Sequence, residues 1–391
     1  MTSFLIYCFV LILCSTRVDS ATNSDVRNLL NELFTIRDYD TRVRPITNQT
    51  DPLVVFVEYF LYGVNDVNEV EQRLTTTGYL EIVWQDEFLS WDPLSYGGLE
   101  YIYIPQGNVW KPDISLQNGF ENLKELGSKF IQVYVTSNGY ILWKPFQIFD
   151  SKCNLNPTYF PLDEQTCHLD FVVWSLDIDD VTLLVGDEGI NMNEALESNG
   201  QWEVVSSSST AETETTETKV RFSINMKRKP LFVIINIIIP IILLSVLNIF
   251  TFQIPADMGE RMGYTITVWL AFAVFLTIVS ASLSKSSDTV PVLSVYIMIQ
   301  LGIGTLTVLV SAIESRIVCR SEDHPVSWFL RRLALLIRPN SVGPKELNKK
   351  LEMDVHWKEG IAALDMLLFW VLFIILSITT ITIMTIAKYA S

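Results

Sequence analysis

The chain has 391 residues, a formal net charge of −16, and 49% hydrophobic against 18% charged residues. An acidic balance of that size excludes a nucleic-acid partner, which needs a basic face to meet phosphates, and it draws cations towards the surface that carries it. Much of the apolar content lies in four long runs in the second half, more than a globular core calls for.

A short apolar leader comes first. Residues 4–14 are continuously apolar but too few to span a bilayer, and small residues at Val18 and Ser20 precede a cleavage site at Ala21. Residues 1–20 therefore read as a signal peptide, which would export residues 21–229. Within that exported part, Ser24 can cap a helix over Asp25–Phe34, whose apolar positions recur at helical spacing. Asn48-Gln49-Thr50 is a glycosylation acceptor triplet. After Pro52 the pattern turns to strands, at 53–62, 79–85, 130–136, 140–149, 168–174 and 220–226, rich in Val, Ile and aromatics. Asn138-Gly139 joins two of them as a hairpin. About two hundred residues of this kind suit one β-sandwich.

Of five cysteines, only Cys153 and Cys167 fall in the exported segment, with 13 residues between them (154–166). A lone pair in an oxidising compartment reads as one disulfide, worth roughly 3 kcal/mol by loop closure. The Ser/Thr/Glu tract 206–218 has no apolar periodicity and reads as a mobile hairpin tip. The neighbouring carboxylates Asp179-Asp180 read as turn chemistry with at most weak affinity for Ca²⁺, so no metal site and no cofactor is expected.

The four apolar spans run roughly over 231–256, 262–284, 290–313 and 361–387, each reaching the ~20 residues that cross a bilayer. Between spans three and four lie Arg316, Arg320, Arg331, Arg332, Arg338, Lys345, Lys349 and Lys350, the bias of a cytoplasmic loop. The expected division is 230–316 for three membrane helices, 317–358 for a short cytoplasmic loop, and 359–391 for the fourth helix with an extracellular end. Within that loop, 325–337 sets apolar residues against Arg331 and Arg332, as a helix lying on the inner lipid face would; a solvated linker is the other reading.

Span two carries one distinctive face. Gly263, Thr267, Leu270, Val274 and Thr277 recur at steps of four, three, four and three, which lines them along one helical stripe opened by Glu260 and Arg261. Trp269, Phe272 and Phe275 occupy the opposite face. Hydroxyls that replace ion hydration, a leucine that dewets, and an acidic mouth suit a cation path. Small residues that merely allow close helix packing give the same stripe. Enzymes are excluded by the lack of a phosphate-binding glycine loop, His-Glu-x-x-His or Gly-x-Ser-x-Gly, and by three histidines scattered at 168, 324 and 356.

Taken in order, several motifs resemble the pentameric Cys-loop ligand-gated channels, specifically the nicotinic acetylcholine receptor branch. The Cys153–Cys167 loop contains Phe160-Pro161-Leu162-Asp163, and Trp110-Lys111-Pro112-Asp113 looks like the W-x-P-D element. Trp84, Asp86, Leu89, Trp91 and Pro93 match a strand motif. Arg228 stands before Pro230-Leu231-Phe232, Pro240 lies inside span one, Gly259-Glu260-Arg261 opens span two, and Asp365 fits span four.

The resemblance implies an α+β membrane protein: an extracellular β-sandwich on a four-helix transmembrane domain, with five identical or related subunits around a pore in a postsynaptic plasma membrane. It casts Glu260 as the cation-selecting ring for monovalent ions, Leu270 as the gate, and Gly263, Thr267, Val274 and Thr277 as the rest of the lining. Phe160, Pro161 and Asp163, with Arg228 and the segment 284–291 ending at Pro291, would couple ligand binding to opening.

The same resemblance puts Trp174 and Tyr79 in the ligand site, at positions that would hold a quaternary ammonium by cation–π attraction. There the sequence departs from the branch. Gln117 stands where a tyrosine is usual, and the tract 206–218 has neither adjacent cysteines nor a tyrosine. Without the resemblance, Trp174 would read as core. The expected ligand is therefore a different small amine or an amphiphile rather than acetylcholine. A subunit that needs a related partner to bind ligand is the alternative, and a non-conducting membrane-anchored binder the third.

Overall fold

The computed structural model describes residues 21–121, 123–191, 197–213, 216–256, 259–282, 289–318, 327–337 and 357–389. The expected signal peptide, Cys319, residues 284–288 of the coupling segment and most of the inner loop lie outside them.

Helix α1 covers Asn23–Asn31 and continues as a π turn over Glu32–Ile36. Its cap is Thr22, not Ser24. The Thr22 hydroxyl accepts from Asp25 N while the Asp25 carboxylate accepts from Thr22 N, a reciprocal capping box that Ser24 could not form one residue before Asp25.

Eleven strands follow among the described residues: β1 Leu53–Asn68, β2 Arg73–Gln85, β3 Tyr101–Pro105, β4 Ile114–Leu116, β5 Gln132–Thr136, β6 Tyr140–Trp143, β7 Phe146–Lys152, β8 Glu164–Val173, β9 Val181–Asn191, β10 Trp202–Thr213 and β11 Thr218–Arg228. A larger sheet runs β3-β5-β6-β2-β1-β9, with β7 also on β2, and a smaller one runs β10-β11-β8-β4. Val55, Val57, Tyr59 and Leu61 alternate inward along β1, and Leu169 and Phe171 do so on β8, so the two sheets share one core.

The segment 140–149 is two strands rather than one. Pro145 donates no ladder hydrogen bond, so β6 pairs with one half of β2 and β7 with the other. The hairpin at Asn138-Gly139 is as expected. Gly139 has φ 81° and an added Cβ would lie 2.3 Å from the Asp86 carbonyl oxygen, so only glycine fits.

The tract 206–218 is the main correction. Most of it is strand: β10 pairs with β11 from Trp202↔Arg228 to Thr213↔Thr218. The segment forms one edge of the smaller sheet, so its Ser and Thr side chains need no buried face, and β11 supplies the register.

Among the described residues, four helices are long and apolar enough to cross a membrane. Helix α2 covers Leu231–Gln253, α3 Glu260–Ser282, α4 Val292–Val318 and α6 Trp357–Tyr389. A π turn at Ile234–Ile238 precedes Pro240 in α2, where the proline lacks the N–H that regular winding would use. The short helix α5, Trp328–Ile337, lies against α6. It is a helix and not a linker; Leu333 is buried while Trp328 and Phe329 are exposed.

Candidate functional site

Helix α3 is polarised. Glu260, Gly263, Thr267, Leu270, Val274 and Thr277 are all exposed on the single chain, Leu270 at 56%. The opposite side is packed: Phe272 is fully buried, and Trp269 Nε1 donates to the Thr305 hydroxyl on α4 at 2.9 Å. Beside Glu260, Arg261 turns inward with 0% exposure. Its guanidinium donates to both Asp365 oxygens on α6 at 2.8 and 3.0 Å, and to Glu314 on α4 at 2.6 Å. One cation thus ties three helices, and the two adjacent charges of the Glu260-Arg261 pair point opposite ways. Charged residues inside apolar spans were the visible signal for this cluster; the pairing of Arg261 with Glu314 was not read.

At the upper end of the bundle, the Cys153–Cys167 disulfide forms with Cα atoms 5.2 Å apart. The loop it closes reaches into the helices. Phe160 is buried with Ile241 of α2, Phe272 of α3 and Ile297 of α4, and the peptide bond to Pro161 is cis. The Thr158 carbonyl accepts from Val292 N at 2.9 Å, directly after the buried Pro291 that precedes α4.

Arg228, the last residue of β11, binds both Asp163 oxygens at 2.7 and 3.1 Å and Glu69 at 2.7 Å, between the rings of Trp202 and Phe160 at 4.2 and 4.7 Å. Burial opposes its charge, yet Asp163 and Glu69 together hold the guanidinium above its ordinary pKa. Glu69 is pushed up by burial, with Arg228 pulling against it. Phe160, Pro161, Asp163, Arg228 and Pro291 therefore meet at one boundary. Glu69 and Trp202 were missed, and neither carries a sequence signal of its own.

The expected ligand residues divide between the sheets. Trp174 follows β8 in the smaller sheet and is 59% exposed, so it is not core. Its N–H donates to the Asp113 carbonyl at 3.3 Å, and Ser175 N donates to the Asp113 carboxylate at 2.8 Å, which fixes the backbone under the ring. A cavity of about 360 Å³ opens beside it, lined by Trp143, Lys111, Asp113 and Glu125 among others. Gln117 Nε2 donates to Glu217 Oε1 at 3.1 Å across 100 residues of sequence. The glutamates of the tract 206–218 could offer negative charge to an amine, but nothing in the sequence singled out Glu217.

Tyr79 lies on β2 in the larger sheet, stacked on Phe60 with centroids 4.6 Å apart. The Lys144 ammonium stands 5.7 Å from its ring centre, held by Glu81 at 2.7 Å. Trp174 and Tyr79 thus belong to different sheets of one chain.

Asn48 is exposed in the turn before β1. Asp180 is ion-paired with Arg44 at 2.9 Å, and no cluster suited to a metal ion occurs among the described residues.

A β-sandwich seated on a four-helix membrane domain, with a disulfide loop inserted between them, defines a multi-pass membrane protein of receptor build. The neurotransmitter-gated ion-channel ligand binding domain matches residues 26–230, and the corresponding transmembrane region matches 237–347. Among the relatives, the neuronal acetylcholine receptor subunit alpha-6 of Rattus norvegicus is 32% identical over 81% of this chain and 65% of its own length. The human neuronal alpha-3 subunit is 30% identical over 85% and 68%, and the Xenopus laevis acetylcholine receptor subunit epsilon 32% over 82% and 66%. The chain spans about two-thirds of the length of these relatives. It belongs to the neurotransmitter-gated ion-channel family, on the nicotinic acetylcholine receptor side, and is a plasma-membrane protein with its β-sandwich outside the cell.

Proposed function

We propose that the chain is one subunit of a pentameric ligand-gated channel for monovalent cations in a postsynaptic membrane. The contrast between the two faces of α3 carries this reading. A helix that packs Phe272 inside its own bundle while leaving a glycine and two threonines uncovered beside Leu270 and Val274 suits neighbours or water on that side better than lipid. Copies arranged around a closed axis would satisfy it. Leu270 is then the dewetting gate, and Glu260, turned away from the buried Arg261, the cation-attracting mouth. The boundary cluster around Arg228 and Phe160 couples ligand binding to the open–closed equilibrium. Asn48 carries a glycan, and α5 lies on the inner lipid face.

Ligand binds between subunits, Trp174 on one side and Tyr79 on the next, and acetylcholine is not the effective agonist. Of these two rings, Tyr79 already faces an ammonium, that of Lys144 at 5.7 Å. A second reading, a subunit that needs a related partner to bind ligand, is favoured by the lack of adjacent cysteines in the β10–β11 hairpin.

Expression of Leu270→Ser alone in oocytes tests the proposal. A polar gate wets more readily, so a standing current that disappears on sodium replacement and persists on chloride replacement is expected. Surface-labelled protein without standing current overturns the homomeric channel and leaves the partner-dependent subunit.

A further inference from the structure

The hairpin base beside Trp174 holds a carboxylate that the channel reading does not use. Glu217 directly precedes β11, and the pair Lys219↔Val172 places Glu217 and Trp174 each two residues beyond the same rung of the β8–β11 ladder. The Thr216 carbonyl accepts from Ile178 N at 3.1 Å, laying this base against the segment that follows Trp174. Gln117 orients the carboxylate through Oε1. Among the described residues, Oε2 accepts no hydrogen bond and Glu217 forms no ion pair. Cations nearby in sequence are engaged elsewhere: Lys219 with Glu212 at 3.2 Å, and Arg221 with Asp170 at 2.8 Å and Glu212 at 3.1 Å.

We infer that the site beside Trp174 takes a small ammonium ion bearing N–H donors, a primary or secondary amine, with Glu217 as the carboxylate that receives them. This rests on the reading of the Trp174 surface as the ligand site. A quaternary ammonium presents only methyl groups. It needs aromatic walls, and it would cover Gln117 and Glu217 without replacing their hydrogen bonds to water, which is costly. The second ring expected at the site, Tyr79, already faces the Lys144 ammonium. An N–H-bearing ammonium meets the opposite demand. Its charge rests against the exposed indole of Trp174 while its donors satisfy Glu217 and the Gln117 carbonyl oxygen.

A thiol at the exposed Ser175 reads this preference without a known agonist. Full-length Ser175→Cys is labelled at the cell surface with 2-aminoethyl methanethiosulfonate and with its trimethylammonio counterpart. Each forms a mixed disulfide with the thiolate and releases methanesulfinate. Both carry one positive charge, so simple attraction to a carboxylate acts alike on them, and only the first has N–H donors.

The rate ratio of the first to the second reagent should exceed that for free cysteine by about tenfold, the size of a hydrogen bond to a charged group. Glu217→Gln should bring the ratio back to the free-thiol value, and Glu217→Asp should keep most of it. Labelling itself reports that each variant has folded and reached the surface. A free-thiol ratio with Glu217 present, or a ratio that Glu217→Gln leaves unchanged, overturns the inference and makes the Gln117–Glu217 bond a latch for the hairpin. The readout is chemical, so it stands whether or not Leu270→Ser conducts.

Discussion

Arg228 and Arg261 are both buried, both face two carboxylates, and both lie near an aromatic ring, yet they are satisfied to different degrees. Arg228 engages Nε, Nη1 and Nη2, and Gln165 donates a further hydrogen bond to Asp163 at 2.6 Å. Arg261 engages only Nη1 and Nη2. Its Nε has no partner among the described residues, and in each cluster one carboxylate oxygen, Glu69 Oε2 and Glu314 Oε1, also has none. The first cluster ties parts of the β-sandwich where they meet the helices. The second lies between three helices, and there the cation is needed chiefly because two carboxylates are buried with it, a difference that can be tested.

The largest effect is expected at Arg261. Arg261→Met would strand Glu314 and Asp365, a loss of about 3–5 kcal/mol for a broken buried pair. Surface biotinylation should fall by more than tenfold. Adding Glu314→Gln and Asp365→Asn should recover most of it, because the cost lies in the uncompensated charges and not in the missing arginine. Failure of the triple variant to recover would break the comparison.

Asp86 extends it to a buried carboxylate with no cation. It accepts from the Tyr39 hydroxyl at 2.6 Å and from Phe88 N and Leu89 N at 2.9 and 3.2 Å. Burial nevertheless outweighs these bonds and pushes its pKa to about 6. A raised carboxyl pKa gives stability that is complete below the unfolded value near 4 and is lost as pH rises through about 6. Two pH units at about 1.4 kcal/mol each make that loss roughly 3 kcal/mol. Thermal unfolding of the purified protein from pH 4 to 7 should show a fall that Asp86→Asn removes. A profile identical to wild type would contradict it.

Arg228→Lys gives a smaller expected change. Lysine keeps the charge but loses the planar fork that spans Asp163 and Glu69. A loss of about 2 kcal/mol should leave surface expression near normal and speed hydrogen exchange in residues 154–166 by at least tenfold. Unchanged exchange would mean that the disulfide and the Phe160 insertion hold the loop alone.

Much of this build was legible in the sequence, for physical reasons. Inward alternation along β1 and β8 and the length of the apolar spans are properties of the chain itself. The stripe of α3 is fixed by helical spacing, and its exposure agrees with that spacing. What escaped depended on partners. β10 has almost no apolar pattern, and β11 alone gives it register. The joining of Arg261 to Glu314 and Asp365 needs the rotation of three helices about one another. Glu217 looked like any other acidic residue in a polar tract until Gln117, 100 residues earlier, was found against it. β3 and β9 were missed too, β3 because five residues ending in proline are too few to show a period.

The most direct measurement compares two positions that are both exposed on a single chain. Thr277 lies on the exposed stripe of α3, and Ile378 is exposed on α6. With Leu270→Ser present, each is changed to cysteine and treated from outside with a membrane-impermeant thiol reagent, which needs water to form the reactive thiolate. If the stripe lines an aqueous ion path and α6 faces lipid, Thr277→Cys is labelled at least tenfold faster and its labelling blocks the standing current. Equal labelling at the two positions, or none at Thr277, would contradict the pore assignment.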